Sequence, residues 1–515
     1  MNKNLFTPAH RGAQVHNNAG GVAHAMPPEA ELAQYVLTGC FNNTFYASAA
    51  ADTKRIADLA RSVPVEFLAK LAVYARREGC MKDAPALMLA VLSSRDSDLF
   101  RRAFPQVIDN GKMLRNFVQV MRSGVAGRKS LGSGPKARVA DWINAAPVPA
   151  LINASVGNDP SLADVIKLSR PKAVTPERER LYGYLICKPV DQAALPAEVV
   201  VLEQFKAAPE GKPVPKVDFR LVDRYLTREQ WKDAARSAGW QMTRMNLNTF
   251  MRHGVFEDAA ITRLIADRLA ARAEIERARV FPYQLLAAYR NASAETPGAV
   301  LDALHAALDI AVENVPAVDG TVAVFPDVSG SMQSPVTGYR SGSTSTVRCI
   351  DVAALMAASV LKKNPDAVIL PFAGDVVTGL KLSARDSVLT NAEKLAAIGG
   401  GSTACAAPLR QMNHKRQSAD LVIYVSDNES WADRDYGNRA ITGTETEWRE
   451  FKLRNAKARM VCIDITPNDT TQARADADVL NVGGFSDAVF DVVAAFATGH
   501  ESSGALIERI AAVTL

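Results

Sequence analysis

Read for the spacing of its apolar residues, the chain changes character near residue 310. Before that point apolar positions recur at helical intervals. In VPVEFLAKLAVYARRE (63–78), Phe67, Leu68, Leu71, Tyr74 and Ala75 fall on one stripe. DAPALMLAVLSS begins with Asp83 and Pro85, a plausible cap and first-turn pair for a second helix. ITRLIADRLAARAEIERARV (261–280) reads as another amphipathic helix, with Arg263, Asp267, Arg268 and Arg272 on its polar side. Strand-like runs bounded by turn residues are nearly absent. Many short helices over ~280 residues predict an all-α array of stacked helix pairs, an α-solenoid, although no sequence period repeats cleanly. Residues 1–28, polar and rich in Asn, Gly and Pro, read as a flexible or draped arm.

Past residue 310 the pattern becomes short, continuously apolar runs: TVAVFPD (321–327), AVILPFA (367–373), LVIYVSD (421–427) and RMVCIDIT (459–466). Helical stretches lie between them, at 350–363, 391–398 and 446–458. Strands apolar on both faces and alternating with helices predict a parallel sheet covered on both sides, a doubly wound α/β domain. Ligand sites in such sheets lie beyond the carboxyl ends of the strands.

With 515 residues, 48% hydrophobic and 22% charged, the chain has an ordinary globular balance and length for several domains. The six cysteines, Cys40, Cys80, Cys187, Cys349, Cys405 and Cys462, are scattered without a CxxC pair, which disfavours a zinc site or a disulfide framework and favours a reducing, cytoplasmic setting. No stretch has signal-peptide character or the length of a membrane span. The net charge of +5 hides an asymmetry: residues 1–300 carry 41 Lys and Arg against 29 Asp and Glu, residues 301–515 carry 19 against 26. Residues 101–150 are the most basic, with nine cationic side chains against Asp109 and Asp141. A basic front suits a polyanionic partner.

The clearest chemistry follows the first apolar run past residue 310. Asp327-Val328-Ser329-Gly330-Ser331-Met332 puts a carboxylate and two hydroxyls on one tight loop at a strand end, with Gly330 letting the backbone turn. These are hard oxygen donors, suited to Mg²⁺, and also to Ca²⁺ or Mn²⁺, rather than zinc. Thr403, in GGGSTAC, and Asp427, ending LVIYVSD, can converge on the same point; Ser402 is an alternative to Thr403. Asp375 and Glu429 lie near strand ends as possible supporting groups. The constellation Asp327, Ser329, Ser331, Thr403 and Asp427 resembles the metal-ion-dependent adhesion site (MIDAS) of von Willebrand factor A domains, over about residues 321–515.

The order of helical array then A domain resembles the Ro autoantigen (TROVE) family, in its bacterial form. HNNAGG, ELAQYVLTGCFNNTFYAS, the Arg138–Trp142 stretch RVADW, SLADVIKLSRPKA (161–173) and VGGFSDAVFDVVAAFATG each look like family segments, in family order. The resemblance implies a HEAT-like ring of helical repeats over 29–315 and an A domain over 316–515 bridging its ends. It implies binding of small structured non-coding RNAs of the Y type and of single-stranded 3′ ends of misfolded RNAs, in a monomer that partners an exoribonuclease such as polynucleotide phosphorylase. The residues that fit phosphate contact are Arg122, Arg128, Lys129, Lys136 and Arg138, in or beside the Gly- and Ser-rich GVAGRKSLGSGPKAR, and Lys167, Arg170 and Lys172. Two features depart from the family pattern: Arg170 stands where many members have His, and LINASVGNDP lacks the basic residues found there in relatives. A scaffold without enzymatic activity is expected, since the seven histidines form no pattern with a nucleophile. The alternative is a metal-dependent protein-interaction adaptor with no role in RNA.

Overall fold

The computed structural model describes residues 14–515 except 39–40, 279, 281, 314, 316, 319, 340–346, 434–440, 485–486, 501 and 503. The first thirteen residues of the expected arm, Cys40 and part of the VGGFSD segment therefore lie outside the described residues. The chain packs into two compact units, and these do not follow the linear boundaries at 28/29 and 315/316. One comprises residues 1–52, 279–291 and 305–509; the other comprises 53–278, 292–304 and 510–515.

The first unit is built on a parallel sheet. Its strands are β3 (Val322–Pro326), β4 (Val368–Ile369), β5 (Leu421–Ser426), β6 (Arg459–Asp464) and β8 (Val479–Gly483), in the order β4-β3-β5-β6-β8. β3 and β5 pair in parallel from Val322–Leu421 to Pro326–Val425. The fully buried pattern of both strands is the physical reason their sequences are continuously apolar. AVILPFA yields only two strand residues at the edge of the sheet, although Leu370 N and Phe372 N still donate to Val324 O and Pro326 O on either side of Pro371, whose missing amide hydrogen faces away from β3; Phe372 rejoins by a single bridge to Asp327. The helix Cys349–Lys363 is buried almost all round and packs against the helix Val388–Ala396. On the other face Phe325, Tyr424, Trp448, Phe451 and Met460 form one apolar cluster.

Residues 14–25 correct the expectation of a flexible arm. They form strands β1 (Gln14–His16) and β2 (Val22–Ala25), and β2 pairs with β7 (Thr470–Thr471) in a three-stranded antiparallel sheet. His24 is buried there, 2.8 Å from Glu445 and accepting a hydrogen bond from Arg474. The helix Pro28–Thr38 then lies on β8, where Gly483 leaves no room for a side chain: an added Cβ would stand 2.9 Å from Thr38 Cγ2. A segment that buries its backbone in a neighbour's sheet edge has its hydrogen bonds satisfied and does not behave as a tail.

The second unit is helical, and elements near in sequence pack together. The helix Val65–Arg77 packs on Asp83–Arg95 and Ser97–Val107; Gly111–Ser123 packs on Val148–Ala154 and Leu162–Ser169; Ser133–Ala145 packs on Leu162–Ser169. Side chains close many helix starts, among them Asp96, Asn110 and the Ser161–Asp164 capping box. Asp83 is not such a cap: it is the first helical residue, and its carboxylate accepts from Asn116 Nδ2. The run 261–280 is two helices, Ala259–Leu269 and Arg272–Ala278, and Arg268 in the last turn of the first donates to the carbonyls of Ala235 and Arg236. No helix among the described residues is long and apolar enough to cross a membrane.

One buried charge in the first unit is strongly compensated. Asp351 is fully buried and pairs with Arg290 Nη1 at 2.8 Å and Arg348 Nη2 at 2.8 Å. Asp351→Ala strands two guanidinium groups, and the expected loss is about 3–5 kcal/mol in urea denaturation; a loss under about 1 kcal/mol would show that the pair is not structural.

Candidate metal centre and basic helical surface

The loop after β3 is assembled by backbone bonds that extend the sheet. Asp327 N donates to Val425 O at 2.9 Å and Val328 N to Phe372 O at 2.8 Å, so Asp327 sits at the carboxyl end of the central strand. Its Oδ1 accepts from Ser329 N at 2.8 Å and its Oδ2 from Ser426 Oγ at 2.6 Å. Ser329 Oγ and Ser331 Oγ lie 3.3 Å apart, and Ser331 lines one small cavity with Asp427. The Gly-rich loop is zipped alongside: Gly330 N donates to Gly401 O at 3.0 Å and Gly400 N to Val328 O at 2.9 Å. The glycine requirement differs from the one read in the sequence. Gly330 has ordinary helical dihedrals, φ −62°, and is needed because a Cβ would press on Gly401 O at 3.3 Å. The positive φ falls instead at Gly400 and Gly401, +120° and +92°.

Thr403 ends that loop, 2% exposed, with its carbonyl accepting from Trp431 N and Ala432 N, which ties it to the loop carrying Asp427. Ser402, the alternative, places its hydroxyl against Gly374, where an added Cβ would stand 2.5 Å from Oγ. The three loops carrying Asp327, Ser329, Ser331, Thr403 and Asp427 thus meet at one sheet edge. Asp375 is an exposed loop acid bonded to Val376 N, whereas Glu429 is fully buried. Glu429 accepts from Asn18 Nδ2 at 2.8 Å and from Ala19 N at 3.1 Å.

The electrostatics are those of a place that needs positive charge. Loss of water pushes the carboxyls of Asp327 and Asp427 above the usual range, and Asp427 adds to the effect on Asp327. Burial likewise raises Asp464, and holds Glu429 at about 7. Among the described residues no Lys or Arg forms an ion pair with Asp327 or Asp427, and no group of three or more His, Cys, Asp and Glu is placed for metal ligation. Two buried carboxylates flanked by hydroxyls fit a hard divalent cation, which would supply the missing charge. Sequence reasoning missed the residues that reach this edge from the amino-terminal segment: Asn17, Asn18, Gln34 and Tyr46. Only long-range packing brings them there.

The basic candidates are carried by helices of the second unit that pack on one another. Arg122 ends the helix Gly111–Ser123, and both Arg122 and Lys167 act on Asp164 at the start of Leu162–Ser169. Arg122, Lys129, Lys167, Arg170 and Lys172 are exposed, and Arg170 closes its helix with a left-handed φ of 50°. Three others are engaged or partly covered. Arg128 turns inward, donating to Ser93 Oγ at 2.7 Å and lying against Gly132; Arg138 pairs with Asp141 at 2.7 Å; Lys136 is half-buried. The LINASVGNDP loop, poor in its own cations, is met by Arg115, whose guanidinium lies against Gly157 (2.5 Å from an added Cβ). Arg115 and Arg220 line a cavity of about 870 Å³ with Lys112, Trp142 and Asn153, where burial and then Arg220 lower the Arg115 pKa. Neither arginine was singled out from sequence, since neither lies in a basic run.

For Glu429 the sign of the pH effect is set by its upward shift. The folded state favours the protonated form, so its stabilising contribution is complete below the ordinary carboxylate range and is lost as pH rises through about 7. In EDTA, thermal stability is expected to fall from pH 5 to 8, each such carboxyl contributing up to ~1.4 kcal/mol per pH unit. Glu429→Gln should flatten the fall; an unchanged profile in calorimetry would remove Glu429 from the account.

Comparison with known proteins follows the same lines. Residues 321–497 match the family model of the Ro60 vWA domain. The RNA-binding protein RO60 of Deinococcus radiodurans is 26% identical over 532 aligned positions, covering 95% of this chain and 96% of its own. The RNA-binding protein RO60 of Caenorhabditis elegans is 26% identical over 247 positions, 46% of this chain and 36% of its own. The crystal structure of the D. radiodurans Ro (RSR) protein superimposes with a TM-score of 0.60 at 23% identity, over 92% of this chain and 100% of that one. The fold class and the resemblance read from the sequence are thereby borne out: a largely helical front followed by a parallel-sheet A domain.

Proposed function

On the premise that this is a Ro-type protein with a carboxy-terminal Ro60 vWA domain, we propose that it is a non-enzymatic RNA-binding scaffold. The observation that carries the reading is the full-length similarity to the RNA-binding protein RO60 of D. radiodurans, joined to exposed cations on neighbouring helices of the second unit. Arg122, Lys129, Lys167, Arg170 and Lys172 supply sequence-independent phosphate contacts, with Lys136 and Arg138 beside them. Arg128, held by Ser93, positions its loop rather than the RNA. The ligands are small structured RNAs of the Y type and single-stranded 3′ ends of misfolded RNAs. The setting is cytoplasmic RNA maturation or decay beside an exoribonuclease, and the protein acts as a monomer.

Affinity for a stem-loop RNA with a single-stranded tail is expected to fall steeply with salt, each phosphate contact adding ~0.7–0.9 to the log–log slope. Replacing Arg122, Lys129, Lys167, Arg170 and Lys172 together by Ala should lower both the affinity and the slope in a gel-shift titration, while Arg128→Ala acts mainly on stability. Retention of the full slope by the fivefold variant would move the RNA elsewhere, and sequencing co-purified RNA would identify it.

The A domain holds a divalent cation, Mg²⁺ foremost, on Asp327, Ser329, Ser331, Thr403 and Asp427. When bound, the cation offsets the charge of the two buried carboxylates. The hydroxyls orient around it, and Ser426 fixes the Asp327 rotamer. Saturating Mg²⁺ is expected to stabilise the protein by about 2.7 kcal/mol at a hundred times the dissociation constant. Asp327→Ala should abolish the shift in a thermal melt; an unaltered shift would take Asp327 out of the site.

A further inference from the structure

The amino-terminal segment reaches the loop carrying Asp427, the end of β6 and the loop carrying Ser331. Asn17 Nδ2 donates to Ser430 O at 2.7 Å, Asn18 and Ala19 donate to Glu429, and Gln34 donates to Asp464. The fit at the HNNAGG tip is close: a Cβ on Gly21 would stand 1.8 Å from Ser430 O. From the same segment Tyr46 lines one small cavity together with Ser331 and Asp427.

Tyr46 therefore stands beside two of the candidate ligands, Ser331 and Asp427. Beneath it lies a cavity of about 40 Å³, lined among others by Tyr35, Tyr46, Asp52, Ser331, Asp427 and Asn468. That volume holds about three or four water molecules at ~10–15 Å³ each. It does not hold a carboxylate side chain arriving from another protein with its backbone. Asp52, 5% exposed, lines the cavity and has one carboxylate oxygen without a hydrogen-bond partner. A buried orphan oxygen beside a water-sized polar cavity is what an internal solvent cluster satisfies. The five candidate ligands are themselves at most 6% exposed.

We propose that the cation site is closed rather than partner-facing: Tyr46 caps it, and the bound cation staples residues 14–52 onto the A domain. The proposal rests on the metal reading of the preceding subsection and departs from the adhesion role that the site's resemblance implies. Coordination positions not taken by protein are filled by water held between the ligands, Tyr46 and Asp52. Because binding free energies are reciprocal, whatever docks the segment tightens the cation, and the cation protects the segment.

Two measurements on the full-length protein test this. Mn²⁺ binding is followed by electron paramagnetic resonance for the wild type, Tyr46→Phe, Tyr46→Ala and Asp375→Ala. Cleavage within residues 14–52 by proteinase K is followed by mass spectrometry in Mg²⁺ and in EDTA. The wild type should bind Mn²⁺, and Mg²⁺ should slow cleavage at least about fivefold, the lower end of usual coupling. Tyr46→Ala should weaken Mn²⁺ binding by a similar factor and make cleavage indifferent to Mg²⁺. Tyr46→Phe, which keeps the ring and loses the hydroxyl, should fall between, and Asp375→Ala should match the wild type. Mn²⁺ binding with no change in wild-type cleavage overturns the staple while leaving the metal site standing. Full-strength Mn²⁺ binding by Tyr46→Ala overturns the cap. No Mn²⁺ binding by the wild type overturns the metal reading and this one with it. Should Tyr46→Ala fail to fold, Tyr46→Phe and the wild-type protection decide the matter.

Discussion

Two carboxylates, Asp327 and Asp427, lose their water at the carboxyl edge of the parallel sheet and gain no Lys or Arg partner among the described residues. An ionised carboxylate so placed is costly unless something supplies positive charge or a proton. The rest of the edge is arranged around that constraint. Ser426 aims its hydroxyl and Ser329 its amide at Asp327, and the glycines at 399–401 bring a third loop within backbone hydrogen-bonding distance. Where the same unit buries a carboxylate for purely structural ends it behaves differently: Asp351 has two arginines. The contrast is between a carboxylate whose charge is settled by two guanidinium groups and one with hydroxyl and amide partners only among the described residues.

The edge also explains why the amino-terminal segment belongs to the A-domain unit. Asn18 and Ala19 satisfy Glu429, and Gln34 satisfies Asp464, both carboxyls raised by burial. Strand β2 covers the exposed backbone of β7. These contacts join residues more than 400 apart in sequence, so the first unit is held by long-range closure. The helical unit is held mainly by local packing, each helix resting on its sequence neighbours, and this packing leaves Arg122, Lys129, Lys167, Arg170 and Lys172 exposed. Arg128 shows the difference within one loop: it is as basic as Lys129, yet it is spent on Ser93.

The chain by itself determined the two architectures and the metal motif. A continuously apolar run followed by Asp-x-Ser-x-Ser can be read locally, because strand burial and loop chemistry are both written in adjacent residues. Helical periodicity at 65–77 is legible for the same reason. Tertiary structure alone decided the rest. It turned residues 14–25 from arm to strands, since pairing depends on an edge 450 residues away. It set Ser402 against Gly374 and left Thr403 buried beside the Asp427 loop, a difference between adjacent hydroxyls that backbone direction makes. It brought Tyr46 to the cavity lined by Ser331 and Arg115 to Gly157, contacts that no spacing encodes. Periodicity and motif report what neighbours along the chain impose on one another; which distant side chain fills a site is settled by packing.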